Sequence, residues 1–110
     1  MLGNTPIVAF IPTTDFDKSR AFYEGVLGLR FVDNDGFAMV LDANGTMIRV
    51  AKVQPDFTPA VFTILGWKVT EIEKVVAALA EKGVVFEGRS KMESIESSNI
   101  VNLRAASDSD

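Results

Sequence analysis

The sequence predicts an α+β fold built from two related strand–helix units. Three observations lead there. Short apolar runs of strand length alternate with two segments of helical periodicity. Each helical segment opens on a capping signal and closes at a glycine, Gly28 or Gly83. The order begins again after about 55 residues, with Val61 to Ile64 taking the part of Val8.

The first unit is expected over residues 1–53. Residues 6–12, PIVAFIP, form a β-branched run between two prolines and read as a strand. Asp15, or a neighbouring threonine, can cap the helix that follows. In that helix Phe22 and Val26 share a stripe, as do Tyr23 and Leu27. Residues 29–32, 37–41 and 47–53 read as strands, joined by turns over 33–36 and 42–45. Three strands with short turns imply an antiparallel meander.

Residues 54–60 carry two prolines and read as a linker. A second unit starts at 61–88. Residues 61–69 form its strand, and Thr70 with Glu73 matches a capping box. Ile72, Val75, Val76 and Leu79 form the apolar stripe of its helix, and residues 84–86 begin another strand. Residues 89–110 diverge from the repeat. They hold six serines and no aromatic residue, only 99–103 resembles a strand, and 105–110 reads as disordered.

Composition excludes several functions. The 110 residues suffice for one domain, and 47% of them are hydrophobic, so a core can form. There is no cysteine and no histidine. Disulfides, thiolate chemistry and imidazole ligands or bases are therefore excluded. A net charge of −4 disfavours nucleic acid as a partner. No apolar run approaches the ~18 residues of a membrane span, and the N-terminus makes a poor signal peptide. A cytoplasmic location is the expectation. No catalytic constellation appears, since Ser19 has no histidine for a triad and residues 25–28 carry no phosphate-loop pattern.

Residues 15–23, DFDKSRAFY, followed by Val26-Leu27-Gly28-Leu29, resemble the first-module signature of the vicinal-oxygen-chelate superfamily, which includes glyoxalases, bleomycin-resistance proteins and extradiol dioxygenases. Gly66-Trp67-Lys68-Val69 and the helix through Gly83 look like the start of its second module. The resemblance covers residues 6 to 87. It implies paired βαβββ modules forming a curved mixed sheet around a pocket, with the second module incomplete. It also places the metal ligands of metal-dependent members at Val8, Arg49 and Ile64, with a fourth in the divergent region. Valine and isoleucine have no donor atoms, and arginine is a fixed cation, so no metal and no other cofactor is expected.

Arg49 is the most informative residue. Strand alternation puts it on one face with Met47, Ala51 and Val53, which under the resemblance is the pocket face. It could clamp an anionic ligand or pair with an internal acid. Val8, Phe10, Phe37 or Met39, Phe62 and Ile64 could line the same cup or simply fill the core. Lys68 could assist Arg49. Trp67 should lie on the opposite strand face and pack under a helix, and Tyr23 should lie in the core or an interface. The resulting expectation is a metal-free small-molecule-binding protein with an apolar pocket and a cationic anchor. The ligand would be anionic or aromatic, and the assembly a homodimer. The alternatives are a glyoxalase- or dioxygenase-like enzyme (lyase, isomerase or oxygenase), or a degenerate member retaining only the fold. The ligand positions make one outcome measurable: elemental analysis of the purified protein should find far less than one Zn, Fe, Mn or Ni per chain.

Overall fold

The computed structural model describes residues 1–54, 63–86 and 92–104. The chain divides into two units, Met1–Phe57 and Thr58–Asp110. The first holds strand β1 (Val8–Thr13), helix α1 (Phe16–Arg20) running on as a π-helical stretch (Ala21–Val26), and strands β2 (Arg30–Asn34), β3 (Ala38–Ala43) and β4 (Thr46–Lys52). Their order across the sheet is β1-β4-β3-β2. β1 runs parallel to β4, whereas β2, β3 and β4 form the expected antiparallel meander.

Local chemistry explains each junction. Asp15 caps α1 by accepting from the Asp17 and Lys18 amides at 2.9 and 3.2 Å. The sequence pattern predicts an ordinary α-helix through Leu27. Instead the Leu27 amide bonds the Phe22 carbonyl five residues back, at 2.9 Å, which is π-helical spacing. Gly28 then takes φ +78° to end it. The turn into β3 is held by side chains: Asn34 Oδ1 accepts from Gly36, and Asp35 Oδ1 accepts from Phe37 and Ala38. The next hairpin is tighter than expected. Asp42 stays in β3, and only Asn44 and Gly45, at φ +52° and +94°, form the turn. That pair suits a two-residue hairpin whose twist matches its strands.

Register sorts the sheet into two faces. Ile11 lies opposite Val50, and Leu41 and Met39 lie opposite Ile48 and Val50. All are buried, and α1 packs against β4 and β1 on this side. The buried hydroxyls of Thr13 on β1 and Ser19 on α1, 2.6 Å apart, tie helix to sheet. Tyr23 is also core.

The second unit holds β5 (Thr63–Lys68), α2 (Ile72–Glu81), β6 (Met92–Ile95), a 3₁₀ turn (Glu96–Ser98) and β7 (Ile100–Arg104). The order is β5-β7-β6, and β7 is antiparallel to both neighbours. Three sequence expectations change here. The Thr70–Glu73 capping box does not form, because the cap position falls on Glu71, at φ +25° and without a side-chain cap bond. Residues 84–86 are not a strand. The described part of the tail, residues 92–104, contains two strands where the sequence suggests one, since Met92–Ile95 pairs with β7. The disorder expected at 105–110 lies outside the described residues.

The difference from unit one is topological. There, three strands follow the helix and the last returns parallel to the first. Among the described residues of unit two only two strands follow, so the last returns antiparallel. Leu65, Trp67, Val101, Leu103 and Met92 share its core face. Asn102, on the other face, lies over Gly66, where an added Cβ would stand 3.0 Å from Asn102 Oδ1.

Core and open face should respond differently to truncation. Leu41→Ala, at a position with no exposure, should cost roughly 2–5 kcal/mol in chemical denaturation. Met47→Ala, on the opposite face, should cost less than about 1 kcal/mol.

Candidate functional site

The face of the first sheet opposite α1 carries the sequence-selected residues. Val8, Phe10 and Pro12 come from β1, and Met47, Arg49 and Ala51 from β4, in the pairs Val8–Met47, Phe10–Arg49 and Pro12–Ala51. β3 adds Ala38, Val40 and Asp42, and β2 adds Arg30 and Asp33 through their partners Asp42 and Val40. Phe37 and Met39 are not part of this face. Met39 pairs with Val50 in the core, and Phe37 precedes β3 at the turn.

Three of the apolar members are accessible, while Ala38 is buried. Phe10 is 68% exposed, Val8 45% and Met47 37%. Val8 and Arg49, two positions where the resemblance calls for ligands, do share this face. Their side chains do not fit a metal, and among the described residues no three acidic side chains converge to hold one. Ile64 belongs to unit two, where it is the bulge residue between Thr63 and Leu65 and is half-buried. Lys68 is exposed on β5. Phe62 lies outside the described residues.

Arg49 has an internal partner. Its Nη2 donates to Asp35 Oδ2 at 3.0 Å. The Asp35 carboxylate is held in turn by the backbone N–H groups of Ala38 and Phe37, each at 2.9 Å. These two amides, then Arg49, lower its pKa from 3.8 to about 2. The other arginine of the face, Arg30, donates to Asp42 at 2.9 Å. That bond, followed by the Gly45 amide, lowers the pKa of Asp42. In the sequence alone, Asp35 and Asp42 are residues of the turns over 33–36 and 42–45. The signal that could have found Asp35 is the Asp-Gly-Phe-Ala spacing, which lets one carboxylate cap two amides while facing β4.

Unit two has its own ion pair. Arg104 on β7 bonds Glu93 on β6, which lowers the Glu93 pKa, and Asn102 adds a further hydrogen bond. Nothing in the divergent tail marks this cluster before β6 is known to be a strand.

The sequence profile of the Glyoxalase/Bleomycin resistance protein/Dioxygenase superfamily matches residues 6–94. The chain belongs to this superfamily. No curated protein matches the sequence. Solved structures share the fold at low identity. An antibiotic-binding protein from Streptomyces sp. CB03234 aligns with a TM-score of 0.67 and 18% identity, over 94% of this chain and 97% of that one. A glyoxalase family protein from Enterococcus faecalis aligns with a TM-score of 0.66 and 17% identity, over 87% and 83%. A glyoxalase/bleomycin resistance protein, also from Streptomyces sp. CB03234, aligns with a TM-score of 0.61 and 18% identity, over 91% and 99%. Among the described residues no helix is long and apolar enough to cross a membrane.

The depressed Asp35 pKa has a stability consequence with a definite sign. The folded value lies below the unfolded one, so the contribution is present above about pH 4 and is lost as pH falls toward about 2. Thermal melts should show wild type more stable than Asp35→Asn at pH 6, with the gap closing between pH 4 and 2.

Proposed function

We propose that this member of the superfamily is a metal-free small-molecule-binding protein whose ligand rests on the open face of the first sheet. The observation that carries this reading is the exposed apolar group Val8, Phe10 and Met47, on the face where metal-dependent relatives would place ligands. Contiguous exposed apolar side chains beside a few polar groups suit a small organic ligand. The absence of histidine and cysteine leaves the face without imidazole or thiolate ligands and without the usual general base, and two of its aspartates, Asp35 and Asp42, are paired with arginines. A structural neighbour described as an antibiotic-binding protein fits a binding role on this fold.

Arg49 remains a member of the site, as half of an ion pair. The test is a screen of aromatic fragments against ¹⁵N-labelled protein. Hits should shift the amide signals of Val8, Phe10 and Met47. Phe10→Ala should weaken those hits by roughly 1 kcal/mol or more while leaving the spectrum folded, because Phe10 is largely exposed. Hits confined to other surfaces, or binding indifferent to Phe10, would remove the basis for the reading.

A further inference from the structure

Given the binding role proposed for the open face, on which this inference rests, the charged groups there also decide what charge a ligand can carry. On the face and its rim these groups are two arginines, Arg30 and Arg49, and three aspartates, Asp33, Asp35 and Asp42. Both arginines already have a carboxylate. We propose that the site takes an uncharged two-ring aromatic molecule and discriminates against the corresponding anion, because Asp35 occupies Arg49 and acidic groups outnumber basic ones around the site.

Three observations support this. First, the Asp35–Arg49 pair is built into the fold. One Asp35 oxygen accepts two backbone amides of the turn, and the other accepts Arg49. The two turn amides hold the Asp35 carboxylate beside Arg49, so an anionic ligand using the remaining guanidinium N–H groups would sit next to that fixed negative charge. Second, the third aspartate, Asp33, is exposed on the same side as Val40 and adds negative potential. Third, the apolar group has a size. Val8 and Phe10 stand two residues apart on one strand, about 7 Å, and Met47 lies one strand across, about 5 Å. That footprint matches a fused pair of six-membered rings lying flat on the sheet, with the Phe10 ring free to stack.

The experiment compares 2-naphthamide with 2-naphthoate, which share shape and differ in charge. Each is titrated into ¹⁵N-labelled wild-type protein and into Asp35→Asn, at low ionic strength. In wild type, 2-naphthamide should shift Val8, Phe10 and Met47, and 2-naphthoate should bind at least about tenfold more weakly. In Asp35→Asn the amide-capping oxygen is kept and the charge removed. Arg49 is released, and 2-naphthoate should gain about tenfold while 2-naphthamide stays unchanged. Equal or tighter binding of 2-naphthoate to wild type overturns the proposal and leaves small-molecule binding standing. An unchanged preference in a folded Asp35→Asn also overturns it. If that variant does not fold, the wild-type comparison alone decides. If neither probe moves these amides, the binding reading fails and this inference with it. If the amides shift only with protein concentration, a second copy of the chain covers the face, and the proposal is equally overturned.

Discussion

The parallel pairing of β1 with β4 is the constraint on which the first unit depends. It sets Ile11 against Val50 and Phe10 against Arg49. A slip of one residue would exchange every buried side chain for an exposed one. Parallel neighbours cannot be joined by a tight turn, so the chain must cross over through a helix. Asp15 starts that helix directly after β1, and the Thr13–Ser19 hydroxyl pair fixes it against the sheet. One face is thereby sealed. The other is left without a helix from its own unit, and the candidate site is a consequence of that asymmetry.

Much of this is legible in the sequence because the deciding chemistry is local. Asp15, Gly28 and Asn44-Gly45 act within a few residues of themselves, and each does what its position implies. Alternation groups Val8 with Phe10 and Met47 with Arg49, and the β1–β4 register brings the two groups onto one face. The failures share a different cause. Val32, the extra residue between Phe31 and Asp33, shifts the β2 register, and only the partner strand reveals it. Residues 92–95, Met-Glu-Ser-Ile, have little strand character of their own and are extended because β7 pairs with them. Thr70 and Glu73 have capping-box spacing, yet the helix starts one residue too late to use it. The partner of Arg49 lies fourteen residues away in sequence, brought close by the Val40–Arg49 register and the turn before β3.

The two units show how a repeated motif can diverge in chemistry while the strand–helix start is retained. In unit two, β7 pairs antiparallel with β5, and its non-core face carries Asn102, Glu93 and Arg104 bonded together. Asn102 is buried and needs the missing side chain of Gly66 to fit. Opening this part-buried cluster is costly chiefly at Asn102, whose buried amide would be left without a partner. That face of unit two therefore carries a bonded polar cluster beside Ile95 and Ile100, whereas the open face of unit one groups Val8, Phe10 and Met47. Similarity at the level of element order does not extend to what the two faces can bind.

The open face of unit one poses a physical question of its own. Core residues such as Leu41 and Val50 are apolar because the fold requires it. Val8, Phe10 and Met47 sit at ladder positions where threonine or lysine would pair equally well through the backbone, so folding of the unit does not demand their apolarity. Exposed apolar side chains gain free energy only when something covers them. The ion pairs around them narrow what that can be. A bare arginine beside Phe10 would attract any anion and bind it through a single strong contact. With Asp35 fixed by two amides, the cation is neutralised, while the stem of Arg49 still adds apolar surface beside the Phe10 ring. Under the binding role proposed above, what remains for recognition is shape and apolar area. Such a site would select by the flatness and size of its ligand, with charge acting chiefly to exclude.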